Sequence, residues 1–182
     1  ANLFNRAFNS SYTFGDGKEL CATDHSTLAG NQSNELAVAA DLSQSSLEDL
    51  CIQIRKATDN RGNKIDLQPY MLLTAPDEMF NATRILESEL QSDTANHTTN
   101  VFKAKGVIPH YMNNPYLDDS DAFFVITDQA MTPDGLVHYE RNAFEPGEDL
   151  DSDKMVHKYY GYERYSRTAN DWRSVYGTPG AA

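Results

Sequence analysis

The spacing of apolar positions changes several times along this chain. In "DLSQSSLEDLCIQIRKAT", Leu47, Leu50, Cys51 and Ile54 recur at i, i+3, i+4 and i+7. One apolar stripe at that period predicts a helix. Ser45 and Glu48 stand at capping-box spacing, and Asp41 is an earlier candidate N-cap. Arg55 and Lys56 fall where cations suit the negative helix end, and Asn60-Arg61-Gly62 stops it. In "NKIDLQPYMLLTAP", Ile65 and Leu67 alternate with polar neighbours as in a half-buried strand. Pro69 interrupts that strand or begins the next, and Tyr70 to Leu73 reads as a buried strand. Thr74 and Asp77 form a helix-start signal with Pro76 in the first turn. "DEMFNATRILESEL" follows as a second helix, with Met79, Ala82, Leu86 and Leu90 on one side.

Strand signals dominate afterwards. "QSDTANHTTN" is polar loop, and "VFKAKGVIPHYMNNPYL" carries one or two strands broken by Pro109 and Pro115. "DAFFVIT" is a buried strand, "DQAMTPDG" a turn and "LVHYERNAF" a strand. "EPGEDLDSD" is an acidic loop, and "KMVHKYYGYERYSRT" a long aromatic strand. Upstream of the first helix, Tyr12 to His25 reads as a hairpin or extended arm turning at Gly15-Asp16-Gly17. There are no internal repeats. Arm, helix, strand, helix and then several strands make an α+β chain.

Composition adds limits. The 182 residues fit one domain, or one domain with an inserted lobe. The formal charge is −12, from 15 basic and 27 acidic residues, which disfavours DNA-reading and anionic-membrane roles. No stretch approaches the length of apolar residues that a membrane span needs, and no secretory signal is visible. Cys21 and Cys51 form no C-x-x-C pair and are too few for a disulfide scaffold, so a reducing compartment is the default. The N-x-S/T triplets at Asn9, Asn31, Asn81 and Asn96 occur in a chain rich in Asn, Ser and Thr, and carry little weight as glycosylation sites.

Catalytic chemistry finds no local signature. The hydrolase, phosphate-loop, zinc-protease and dinucleotide motifs are all absent. His25, His97, His110, His138 and His157 include no pair at ligand spacing. Asp149, Asp151 and Asp153 open like a calcium loop, but Lys154 stands at the turn-glycine position and Tyr160 at that of the bidentate Glu. The "DDSD" from Asp118 to Asp121 reads as a solvated acidic run. Cys21 with His25 would need spatial contact and a third orienting group to act as a thiol nucleophile. The sequence therefore assigns no catalytic, cofactor-binding or metal-ligating residue. Two alternatives stay open: a hydrolase with dispersed catalytic residues, and an acidic calcium- or sugar-binding module.

The block "DLSQSSLEDLCIQIRKATDNRGNKIDLQPYMLLTAPDEMFNATRIL" resembles the central part of tailed-phage major capsid proteins of the Hong Kong 97-type fold, in the branch related to the Mu head subunit. "FGDGKELCATDHSTLAGNQSN" upstream, and "NPYLDDSDAFFVIT" and "YYGYERYSRTANDWRSVYG" downstream, resemble the flanking segments of that family in order and spacing. The resemblance runs from about Phe14 to Gly177. It implies an α+β fold with a long spine helix from about Ser43 to Thr58, a peripheral mixed sheet and an inserted axial domain.

Residues 1–40 would be an N-terminal segment with an extended hairpin that reaches a neighbouring subunit. Residues 41–75 and 123–182 would form the peripheral domain, and 76–122 the axial segment. Lys64 to Leu73 would leave the spine and join the sheet. The arm from Tyr12 to Asn34 should pack poorly on its own subunit. Such proteins carry more chain in front, so the sequence reads as a fragment or a processed product. The implied function is a structural subunit of an icosahedral bacteriophage head around double-stranded DNA, not an enzyme. The implied location is the virion, assembled in the bacterial cytoplasm. Implied partners are copies of itself in pentamers and hexamers, with scaffold, portal or decoration proteins besides. Packaged DNA would touch it only non-specifically, and no membrane is involved. Tyr159, Tyr160, Tyr162, Tyr165, Trp172 and Tyr176 are candidate anchors, with core and interface both open.

Overall fold

The computed structural model describes residues 2–91 and 98–181; Asn96, His97 and most of the polar loop around them lie outside the described residues. A four-stranded mixed sheet forms the centre. Its strands are β3 (Pro69–Thr74), β4 (His110–Asn113), β5 (Phe123–Thr127) and β8 (Val175–Thr178), in the order β4-β3-β5-β8. β3 runs parallel to β4 and antiparallel to β5, which is antiparallel to β8. Both faces are covered. Leu72, Phe123, Val125 and Tyr176 meet helix α1 (Gln44–Arg55) and helices α2 (Met79–Glu87) and α3 (Val101–Lys105). Leu73, Phe124, Ile126 and Val175 meet Ala7, Leu20 and Cys21 from the N-terminal segment. Successive strand residues thus enter opposite cores, so "MLL" and "FFVI" read as unbroken apolar runs.

Helix α1 uses the expected face: Leu47, Leu50, Cys51 and Ile54 are all buried. Its cap differs from expectation. Ser43 is the N-cap and accepts from the Ser46 amide, while the Ser46 hydroxyl accepts from the Ser43 amide. A serine thus takes the place of the usual Glu or Gln in the reciprocal box. The helix has 12 residues, about 18 Å at the standard rise. Pro69 begins β3, whereas Ile65 and Leu67 precede it outside any strand. Thr74 ends β3, and its hydroxyl meets that of Tyr111 at 3.0 Å instead of capping a helix. A 3-10 turn, Pro76–Glu78, leads into α2, which buries Ala82 and Ile85 and leaves Met79 exposed, while Leu90 lies beyond the helix end and is exposed.

Three further segments depart from the sequence reading. "VFKAK" is α3, not a strand: Asn100 accepts from the Phe102 amide, and Gly106 at φ 57° closes the helix in the left-handed region. End caps outweigh the strand preference of Val101 and Phe102 there. "EPGEDLD" is not a loop but the outer part of β6 (Leu136–Asp151). β6 pairs antiparallel with β7 (Val156–Ala169), as a two-stranded ribbon separate from the sheet. A chain with water on both faces can pair backbones while every carboxylate stays hydrated. Finally, Tyr12 to Asn34 does not stand off the molecule. Its only regular piece is a short hairpin of β1 (His25–Thr27) and β2 (Gly30–Gln32). Leu20, Cys21, His25 and Asn34 are buried.

Candidate functional site

The N-terminal segment is held by a polar cluster under β8. Asn34 is buried between chain segments far apart in sequence. Its amide nitrogen donates to the carbonyls of Leu20, Trp172 and Val175 at 2.7, 3.1 and 2.8 Å. Its amide oxygen accepts from the Ala22 amide at 2.9 Å and from His25 Nε2 at 3.0 Å. A backbone N–H can only donate, so the amide orientation is fixed and His25 Nε2 must carry a proton. His25 Nδ1 faces the Asp16 carboxylate at 2.5 Å. The imidazole stacks on Trp172 with centroids 4.4 Å apart, and the Arg173 guanidinium lies 4.3 Å from the Trp172 ring centroid. Arg173 in turn donates to Thr58 O, Gln32 Oε1 and Asn60 Oδ1. The cluster is a closed polar network that joins both ends of the chain.

This geometry argues against a thiol nucleophile at Cys21. Both nitrogens of His25 are engaged elsewhere, and burial holds the Cys21 thiol well above its ordinary range, aided by Glu35 and Glu19. Burial likewise pushes the Cys51 thiol up to about 12, with a smaller contribution from Glu48. Both thiols stay protonated and unreactive at neutral pH. His110 packs on Tyr70, His138 accepts from Arg167, and His157 stacks near Tyr159, each apart from the others. Asp149 and Asp151 lie on β6 and Asp153 in the turn that follows. Among the described residues, no group of three or more His, Cys, Asp or Glu side chains is placed to hold a metal ion. Among them also, no helix is long and apolar enough to cross a membrane.

The accessible chemistry lies on the ribbon. The six aromatic candidates divide between core and surface. Trp172 and Tyr176 are buried in the core. Tyr159, Tyr160, Tyr162 and Tyr165 are 77%, 61%, 50% and 48% exposed, and Tyr139, Phe144, Leu150, Met155 and Val156 join them at the surface. Two aromatic rings cover glycines across the ribbon: Tyr160 lies over Gly147, and Phe144 over Gly161. At the ribbon's base a groove of about 1010 Å³ opens against the N-terminal turns. Phe4, Tyr12, Phe14, Tyr116 and Tyr165 line it with two cations, Arg6 and Arg167. The guanidiniums lie over Tyr12 and Tyr165 at 4.2 and 4.8 Å. No carboxylate lines the groove among the described residues. Sequence reasoning did not find this groove, because its walls are about a hundred residues or more apart in the chain.

A molecule with inert thiols, scattered histidines and a long uncovered ribbon offers surfaces more than a reaction centre. The family model of a phage capsid protein matches residues 1–177, and the chain belongs to that family. Among solved structures, the virus-like particle from Pyrococcus furiosus is similar at 12% identity and a TM-score of 0.48. The match covers 79% of this chain and 55% of that one, so this chain spans little more than half of its length. No curated protein matches the chain.

Proposed function

We propose that this chain is a shell-forming subunit of an icosahedral phage head, of the Hong Kong 97 type and the branch related to the Mu head subunit. The observation that carries the reading is the β6–β7 ribbon, whose aromatic side chains are left open by the single chain. An isolated two-stranded ribbon is marginal in water, so a covering surface is expected. Copies of the same chain, gathered in pentamers and hexamers, supply one at every subunit. In this assignment residues 1–40 form the N-terminal segment, 41–75 and 123–182 the peripheral domain around α1, and 76–122 the axial segment. β4 from the axial segment shares the sheet with β3, so the two parts would meet through hydrogen-bonded strands. The net charge of −12 suits a wall that double-stranded DNA touches without adhering; tight, salt-sensitive DNA binding by assembled shells would argue against that part.

Negative-stain electron microscopy of the protein from its natural source tests the reading. Uniform polyhedral particles built mainly of this chain are the expected result. A small monodisperse species from an intact chain would leave the family likeness as one of fold and reject self-assembly.

A further inference from the structure

The groove and the ribbon are chemically matched, yet one chain cannot bring them together. The groove holds two arginines and no carboxylate. Neither arginine has a carboxylate partner among the described residues. The outer ribbon is the reverse: residues 145–160 carry Glu145, Glu148, Asp149, Asp151 and Asp153 against Lys154 and Lys158. One of those lysines is already paired, Lys158 with Asp151 at 3.0 Å. Both partners also offer apolar surface, aromatic in the groove and Leu150, Met155 and Val156 on the ribbon. About 40 Å of paired strand separates Glu148 from the ribbon base at Leu136, at the usual rise per residue. A continuous ladder cannot fold back over that distance onto its own root.

We propose that the outer ribbon of one copy docks in the arginine-bearing groove of a second copy, its carboxylates meeting Arg6 and Arg167. This pairing rests on the capsid reading and names the surfaces it would use. The contact is head-to-tail, since ribbon and groove are different patches. A head-to-tail contact closes into rings when its rotation permits. It also suits an acidic chain: copies that repel each other over most of their surface can meet where the groove's two arginines face the ribbon's carboxylates. The apolar part of the contact would cover the side chains that the lone ribbon leaves in water.

Charge reversal of the full chain, read by sedimentation velocity at low salt, tests the pairing. Arg6→Glu with Arg167→Glu should weaken self-association by about tenfold or more, because carboxylates then face carboxylates. Glu148→Lys with Asp149→Lys should do the same. These two neighbours point to opposite faces of the ribbon, so whichever face docks is altered. A mixture of the two variants should associate where each alone does not, since the reversed groove then fits the reversed ribbon. All the altered side chains are exposed, and circular dichroism checks that each variant folds. Arg6→Gln with Arg167→Gln is the milder replacement if a reversal does not. The pairing is overturned if either reversed chain associates as the starting chain does, if the mixture shows no recovery, or if the starting chain stays monomeric throughout. Particles in micrographs together with no response to reversal would overturn the pairing and leave the capsid reading intact. Recovery in the mixture without particles from the natural source would establish the contact and reject the shell.

Discussion

Two neighbouring residues show how differently the polar cluster treats its members. Asn34 has every polar atom of its side chain paired, across three parts of the chain. Glu35 is half-buried beside it, and burial, then the nearby Glu19 carboxylate, push its carboxyl above the ordinary range. A carboxyl that is harder to ionise when folded opposes folding once it is ionised. The folded state holds the proton longer than the unfolded state, so stability falls as pH rises through that interval. The penalty is fully present above the raised folded value and absent below the unfolded value of about 4.3. Glu35→Gln should therefore stabilise the chain at pH 7 and have much less effect near pH 4. Urea denaturation at the two pH values measures this. An equal gain at both would show that charge is not the cause.

At the scale of elements, the junction of α2 and α3 turns on one side chain. Asn100 accepts from the Phe102 amide at 3.0 Å, and its amide nitrogen donates to the carbonyls of Ile85 and Ser88 at 2.6 and 3.0 Å. Asn100→Ala removes the cap and leaves the buried Ile85 carbonyl without this donor, for a loss of about 2–3 kcal/mol. Asn100→Asp keeps the capping oxygen but sets a second oxygen against the Ile85 and Ser88 carbonyls in a buried site, so at neutral pH it should cost at least as much as Asn100→Ala; urea midpoints of the two variants check the order. The same junction explains what was legible in the sequence. α1 was readable because its stripe is local and repeated, and β5 because "FFVIT" is buried on both faces. α3 was not, because it is only five residues long and held by caps and by packing on α2. The outer half of β6 was hidden by its acids, which mark a loop in a compact core but sit comfortably on a ribbon in water. The N-terminal segment reads as an arm in the sequence because its anchor, Asn34, works through partners more than a hundred residues away.

For the whole molecule, the deciding contrast is between a sheet covered on both faces and a ribbon covered on neither. The sequence distinguishes them only faintly. Tyr176 lies in β8, whose four residues are all buried, whereas Tyr159 to Tyr165 are interleaved with Lys158, Glu163 and Arg164 on a strand that meets one partner alone. Hydrogen exchange converts that contrast into a test. Amides of β3 and β5 open only with the whole core, so in the isolated chain they should be the slowest to exchange. Ribbon amides from Tyr159 to Tyr165 lack a packed layer and should exchange far faster under the same conditions. If copies assemble as proposed, docking would add the missing layer, and their exchange should slow toward that of β5. The N-terminal segment should behave oppositely. The Cys21 amide donates to the Ala7 carbonyl and the Asn34 amide to the Ala22 carbonyl, so their protection should be high before assembly and change little after it. Ribbon protection that is equal in the free chain and the particle would mean that the ribbon is not the surface through which copies meet.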